Sequence, residues 1–110
     1  VRPDKIGLWG LSNGGAAALT FIEKNKVQAL VLYGPAVQRA PEAETIVGIP
    51  VLFLHGSQDS VISDDAAKRY YEKVALVNKQ VSFKLLDGKG HSWDSDVMTE
   101  SIAFFKEYLK

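Results

Sequence analysis

Ser12, Asp59 and His91 are the residues of this chain whose types and order could perform nucleophilic catalysis. A serine hydroxyl is a weak nucleophile unless a histidine takes its proton and a carboxylate orients that histidine. Ser12 lies in residues 10–14, G-L-S-N-G, which fit the pattern G-x-S-x-G. The pattern falls between a short apolar run and an Ala-rich segment, and a strand–turn–helix setting of this kind indicates a nucleophile elbow.

The glycines around Ser12 are expected to allow a tight turn. We predict that a Cβ at Gly10, Gly14 or Gly15 would collide with the neighbouring strand or helix. The backbone N–H of Asn13 would then lie at a helix N-terminus and point at a developing oxyanion. An alternative is that Ser12 is an ordinary helix N-cap in a Gly-rich turn. A phosphate-binding loop is disfavoured because G-x-G-x-x-G and the Walker lysine spacing are absent.

The acid and the base are predicted from the order serine, acid, histidine that an elbow requires. Only His91 has both the serine and a loop acid before it, and Asp59 follows a predicted strand. Asp87 and Asp94 flank His91 and could replace Asp59 as the acid. His55 closes a predicted strand, where a histidine is more often a buried, hydrogen-bonded structural residue.

Four apolar runs bounded by turn residues predict the strands that position these side chains. Helical patterns separate the runs, and alternation of this kind predicts an α/β fold with a mostly parallel four-stranded sheet and helices on both faces. Site residues that follow successive strands then meet at one edge of the sheet. The predicted strands are residues 5–10, 27–33, 50–55 and 81–86.

Three segments are predicted to be helices. The first covers residues 14–26. The second has Ser63 as N-cap, with Asp64 and Asp65 complementing the helix dipole, and it carries an apolar stripe of Ala67, Tyr70, Tyr71 and Val74. The C-terminal helix is expected to bury Met98, Ile102, Phe105 and Leu109. Trp9 and Trp93 could line an acyl pocket, although an aromatic residue in or beside a strand is more often core.

Composition narrows the class of protein. A length of 110 residues is typical of a single domain. The 13 basic residues balance the 13 acidic ones, so the formal net charge is zero. A neutral chain without a basic stripe argues against nucleic-acid or anionic-membrane binding. No apolar run approaches the roughly 20 residues that span a bilayer. With no cysteine and two histidines, neither a metal site nor a cofactor is expected.

Three motifs together resemble the C-terminal half of an α/β-hydrolase fold serine esterase, of the dienelactone hydrolase and carboxylesterase kind. They are residues 10–15 (G-L-S-N-G-G), 55–62 (H-G-S-Q-D-S-V-I) and 88–93 (G-K-G-H-S-W). The resemblance covers essentially the whole chain. It implies a small-molecule ester substrate, Ser12 as nucleophile, Asp59 as acid, His91 as base and the Asn13 N–H as one oxyanion donor.

The chain departs from this family because the family has further strands before the elbow. One of these strands normally pairs with the predicted strand at residues 5–10, and the loop after another supplies the second oxyanion donor. We therefore expect residues 1–110 to form a single domain, the C-terminal half of a hydrolase, which self-associates or takes a complementing chain through its first strand. The alternative function is a catalytically incompetent assembly or interaction domain.

Overall fold

The computed structural model describes residues 5–38, 40–91 and 94–109, which form one sheet and the helices that cover it. The predicted α/β fold with a four-stranded sheet is confirmed, and every strand pair is parallel. In chain order the elements are β1 (Gly7–Leu11), α1 (Asn13–Phe21), β2 (Ala29–Tyr33), a 3₁₀ turn (Ala43–Ile46), β3 (Val51–Gly56), α2 (Asp64–Ala75), β4 (Val81–Leu86) and α3 (Ser95–Tyr108).

The strands are arranged in the order β1-β2-β3-β4, so each strand pairs with the one that precedes it in the chain. Their register aligns the carboxyl ends of the strands. Leu11 pairs with Tyr33, Tyr33 pairs with Leu54, and Gly56 pairs with Leu86. The loops that follow all four strands therefore leave the sheet at one edge, where parallel α/β sheets form their sites.

Two apolar clusters cover the two faces of the sheet. On one face, α1 and α2 pack against residues that include Leu30, Leu32 and Phe53. On the other face, α3 packs against Val31 and Leu54. β2 is buried along its whole length, as expected for a strand covered on both faces. None of the helices within the described ranges is long and apolar enough to cross a bilayer.

The start of α2 follows the sequence prediction. Ser63 is the N-cap, and its side chain accepts a hydrogen bond from the Asp65 N–H at 3.1 Å. Ala67, Tyr70 and Val74 are buried. The pattern of apolar residues every three or four positions was therefore sufficient to place this helix on the sheet.

The predicted buried face of α3 is wrong in its first two turns. Met98 and Ile102 are 42% and 45% exposed, whereas Val97 and Ser101 are buried. The Ser101 hydroxyl accepts a hydrogen bond from Trp9 Nε1 at 3.0 Å and donates one to the Val97 carbonyl at 2.8 Å. Because the polar side chain is satisfied, it can occupy the buried face that an apolar pattern would not assign to it.

The first helix is shorter than predicted. α1 ends at Phe21 and not at residue 26. The Asn25 side-chain amide donates to the Phe21 carbonyl at 3.0 Å, and the Lys24 N–H donates to the same carbonyl at 3.2 Å. These bonds satisfy the carbonyl in a turn, which ends the helix before the charged residues that follow.

Candidate active site

Ser12 lies between β1 and α1 in a strained backbone conformation. Its φ of 56° is the only positive φ of a non-glycine residue in the part of the chain that the structure describes. Its N–H donates to the Tyr33 carbonyl at 3.1 Å, and its carbonyl accepts from the N–H groups of Gly15, Ala16 and Ala36 at 3.0, 3.2 and 3.0 Å. Strain of about 1–3 kcal/mol persists only where the surroundings impose it. This backbone geometry is typical of a nucleophile elbow.

The Ser12 side chain makes no hydrogen bond to the first turn of α1. It therefore does not act as the N-cap that the alternative interpretation requires. Asn13 is the first residue of α1. The first N–H groups of a helix have no intrahelical acceptor, so the Asn13 N–H belongs to a set of donors available to an anion.

The glycines of the elbow do not all serve the same purpose. A Cβ at Gly10 would lie 2.5 Å from the Gly14 carbonyl oxygen, and one at Gly15 would lie 2.8 Å from Pro35 Cβ. A Cβ at Gly14 would meet nothing within 4 Å. The predicted collision is therefore wrong for Gly14, because this residue is on the exposed side of α1.

Asp59 and His91 are in direct contact. His91 Nδ1 and Asp59 Oδ2 are 2.5 Å apart, and the Asp59 side chain is 1% exposed. The other carboxylate oxygen, Oδ1, accepts from the N–H groups of Val61 and Ile62 at 2.9 and 2.8 Å. The loop after β3 therefore fixes the carboxylate, and the carboxylate fixes the imidazole.

These contacts decide the charge of Asp59. Burial alone would raise the pKa of Asp59, but hydrogen bonds from the Ile62 N–H, from His91 and from the Val61 N–H lower it below its ordinary value of 3.8. Asp59 is therefore ionised at neutral pH. A buried carboxylate accepts hydrogen bonds only, so His91 Nδ1 is the donor of the pair.

Because Nδ1 of His91 is a donor, the lone pair of the neutral ring is on Nε2. His91 Nε2 is buried and has no hydrogen-bond partner among the described residues. No hydrogen bond joins Ser12 Oγ to His91 in the same part of the chain. The structure thus brings the predicted acid and base together and places Ser12 at the same sheet edge, without a bond between serine and histidine.

Tyr33, which the sequence analysis did not assign to the site, contacts both the elbow and the histidine loop. It is the last residue of β2 and is buried. Its carbonyl accepts the Ser12 N–H, while its hydroxyl donates to the Gly90 carbonyl at 2.8 Å, next to His91. Burial raises the pKa of Tyr33, and the charges of Asp94 and Asp59 raise it further. The sequence signal that could have identified Tyr33 as a site residue is its place at the carboxyl end of a predicted strand.

Gly34 lies directly beside the Asp59–His91 pair. Its φ is +51°, and a Cβ there would be 3.0 Å from Asp59 Oδ2 and 3.0 Å from His91 Nδ1. A side chain at this position would therefore contact both atoms of the hydrogen bond. The lack of a side chain at Gly34 leaves room for the pair.

The alternative acids occupy other places. Asp94 is the N-cap of α3, where it accepts from the N–H groups of Asp96 and Val97. Lys89 Nζ lies 2.9 Å from Asp94 and 2.8 Å from Asp96, and its hydrogen bond is the main cause that lowers the pKa of Asp94. Asp87 is exposed. Of the three candidates, only Asp59 contacts His91.

The remaining candidates are core residues or lie outside the described part. Trp9 is partly buried against the cluster beneath α3, and its indole N–H donates to the Ser101 hydroxyl, as expected of a core residue. Trp93 lies outside the described residues. His55 is fully buried, and its Nε2 is 2.8 Å from the Ile62 carbonyl, as expected of a structural histidine. In the described ranges no three His, Asp or Glu residues cluster as metal ligands would.

Comparison with known families identifies the family to which this chain belongs. The model of the family described as "Dienelactone hydrolase family" matches residues 1–104. The chain belongs to the dienelactone hydrolase family. The family expected from the three motifs is therefore confirmed.

Solved structures support the fold of this dienelactone hydrolase family member. SOBER1 from Arabidopsis thaliana matches 100% of the chain at 22% identity, with a TM-score of 0.81. TT1662 from Thermus thermophilus matches 96% at 18% identity and a TM-score of 0.87. The esterase Pf2001 from Pyrococcus furiosus matches 96% at 16% identity and a TM-score of 0.81. At these identities the likeness shows the fold alone.

The chain is shorter than the proteins it matches. It covers 56% of SOBER1, 55% of TT1662 and 54% of Pf2001. A Mycoplasma genitalium protein named "Putative esterase/lipase 1" is 42% identical over 43 residues, which are 39% of this chain and 15% of that protein. This dienelactone hydrolase family member thus spans about half the length of the solved structures.

Proposed function

We propose that this chain hydrolyses a carboxylic ester through an acyl-enzyme on Ser12, with His91 as base and Asp59 as acid. The observation that carries the proposal is the buried Asp59–His91 hydrogen bond of 2.5 Å, which leaves His91 Nε2 without a partner among the described residues. A ring nitrogen with a free lone pair, at the sheet edge that also holds a strained serine, is suited to act as a general base.

The proposed reaction has two halves. Ser12 Oγ attacks the ester carbonyl carbon while His91 Nε2 takes the hydroxyl proton. The tetrahedral intermediate collapses, the C–O bond to the alcohol breaks, and His91 returns the proton to the leaving alkoxide. Water then attacks the acyl-enzyme, again giving its proton to His91, and the acid product leaves as Ser12 Oγ regains that proton. Asp59 keeps its charge and holds the imidazole in the Nδ1–H tautomer.

The Asn13 N–H is the proposed oxyanion donor within this chain. Its place at the start of α1 supports this role, because the first N–H groups of a helix favour negative charge. The resemblance to longer hydrolases implies a second donor from a loop before the elbow. Loss of one oxyanion donor costs about 10²–10³ in kcat, roughly 3–4 kcal/mol, so full activity would need this second donor beside the Asn13 N–H.

A second candidate function is favoured by the open edge of the sheet. β1 pairs with β2 on one side, and among the described residues no strand covers its other side. An apolar edge of this kind pairs readily with another chain. We propose that the 110 residues act as the C-terminal half of a hydrolase domain, and that a complementing chain or a second copy pairs along β1. If the chain has no catalytic activity even when it is assembled, its function under this proposal is that of an assembly domain alone.

Intact-mass measurement after treatment with a fluorophosphonate tests the first candidate. We expect one covalent adduct on the wild-type chain, none on Ser12→Ala, and an undiminished adduct on Ser82→Ala, which removes an exposed serine of β4. An adduct that survives in Ser12→Ala would refute the assignment of the nucleophile. A folded wild-type chain that takes no adduct would favour the assembly domain.

The mass of the native chain in solution tests the second candidate. A dimer or a complex through β1 predicts slow hydrogen exchange of the Gly7 and Trp9 amides, which point away from β2, in the assembled species and faster exchange on dilution. A monomeric chain whose β1 amides have hydrogen-exchange rates that do not change with protein concentration would contradict self-association.

A further inference from the structure

His55 is a buried titratable residue that the proposed mechanism does not use. It lies on β3 with no exposed surface. Its Nε2 is 2.8 Å from the Ile62 carbonyl and 3.4 Å from Asp59 Oδ2. The same carboxylate oxygen is 2.5 Å from His91 Nδ1. One oxygen of Asp59 therefore faces two histidine rings.

The contacts of His55 fix the position of its proton. A carbonyl oxygen accepts hydrogen bonds and donates none, so the Nε2 that faces the Ile62 carbonyl carries the hydrogen. His55 Nδ1 is buried and has no partner among the described residues. The ring is therefore the Nε2–H tautomer, and its one N–H is directed at a carbonyl and a carboxylate.

The backbone of Ile62 connects these groups through its N–H on one side and its carbonyl on the other. Its N–H donates to Asp59 Oδ1 at 2.8 Å, and its carbonyl accepts from His55. His55 thus joins the end of β3 to the far side of residues 56–62, which carry Asp59. An apolar side chain of similar volume could fill the same space, but it would hold neither the carbonyl nor the carboxylate.

We infer that His55 is a positioning residue, whose Nε2–H closes the loop of residues 56–62 and keeps the Asp59 carboxylate directed at His91. Its catalytic meaning rests on the proposed function, since the residue acts through Asp59 and touches no substrate. The geometric part of the inference, in contrast, can be measured on a chain that has no activity.

The first experiment uses the unmodified 110-residue chain. Long-range ¹H–¹⁵N spectra of a chain with labelled histidine report which ring nitrogen carries the proton. The inference requires the Nε2–H tautomer for His55 and the Nδ1–H tautomer for His91. An Nδ1–H tautomer at His55 would overturn it without any substitution.

The second experiment compares His55→Gln with His55→Met. The amide nitrogen of glutamine is as many bonds from Cα as Nε2 of histidine, so His55→Gln keeps the donor, whereas methionine fills the space without one. We expect the downfield resonance of the His91 Nδ1 proton to persist in His55→Gln and to shift or broaden in His55→Met. Labelling by the fluorophosphonate should stay near the wild-type rate in the first and fall about tenfold or more in the second, because small displacements of a catalytic group are costly.

The two readouts separate the two hypotheses. If the wild-type chain takes no adduct but its His91 resonance depends on His55, the proposed function fails and this inference stands. If labelling is Ser12-dependent but the resonance and the rate in His55→Met equal those of the wild type, the inference is overturned. Should His55→Met fail to fold, His55→Asn, whose amide is too short to reach Ile62, takes its place with the same expectation.

Discussion

The hydroxyl of Tyr33 donates a hydrogen bond of 2.8 Å to the carbonyl of Gly90, 57 residues further along the chain. The backbone of Tyr33 also accepts the N–H of Ser12 at 3.1 Å. One residue of a central strand thus sets the positions of the proposed nucleophile and of the residue before the proposed base. The distance between Ser12 and His91 depends on the packing of this phenol.

Tyr33→Phe should reduce both the reactivity and the stability of the chain. The change removes the hydroxyl and leaves the Gly90 carbonyl without that donor, which costs about 1–3 kcal/mol of unfolding free energy. We expect the rate of fluorophosphonate labelling to fall about tenfold, because the loop that carries His91 loses the hydrogen bond that holds it in place. Urea unfolding and labelling kinetics measure the two effects. A labelling rate equal to that of the wild type would contradict the role assigned to Tyr33.

Gly34→Ala should separate Asp59 from His91. The new Cβ would lie 3.0 Å from both bonded atoms, at a φ of +51°. The matched control is Gly48→Ala, which also has a positive φ, +83°, but meets nothing within 4 Å. Both variants should lose about 1–2 kcal/mol of stability from the left-handed backbone. Only Gly34→Ala should also lose the downfield His91 proton resonance; its persistence there would refute the steric argument.

Two elbow glycines offer a second matched pair. Gly10→Ala places a Cβ 2.5 Å from the Gly14 carbonyl oxygen, so the elbow must open. Gly14→Ala meets nothing within 4 Å and lies in α1, where alanine is favoured by about 0.5–1 kcal/mol. Thermal unfolding should show a clear loss for the first variant and no loss for the second. A comparable loss in both would mean that Gly14 is also sterically required.

The stability of the chain should depend on the charge of Asp59 in acid. The pKa of Asp59 is below its ordinary 3.8 in the folded state, so the folded chain binds fewer protons than the unfolded chain in this range. The stabilisation is complete above about pH 4 and is lost as pH falls through the lowered pKa. The free energy of unfolding, measured with urea between pH 5 and pH 2.5, should therefore fall more steeply with decreasing pH for the wild type than for Asp59→Asn. Parallel declines would contradict the depressed pKa.

The strands and the elbow were predictable because they depend on local sequence, and the contact between Asp59 and His91 was predictable from the order of the strands that precede them. Every predicted site residue follows an apolar run, and parallel strands bring their carboxyl ends together. The contacts of Tyr33 with Gly90 and of Gly34 with the Asp59–His91 pair were not predictable, since they depend on how distant loops pack. The buried face of α3 was missed for a related reason, as its Ser101 is satisfied by Trp9 from the far end of the sequence.

The strand order β1-β2-β3-β4 has a consequence for the way the site forms during synthesis. Each strand pairs with the one made just before it, so the sheet can extend in the direction of translation without waiting for a later strand. Ser12 leaves the ribosome first, Asp59 next and His91 last. A nascent chain would therefore carry the proposed nucleophile without the proposed base until the residues after β4 have been added, so the proposed reaction could not begin while the sheet is still growing.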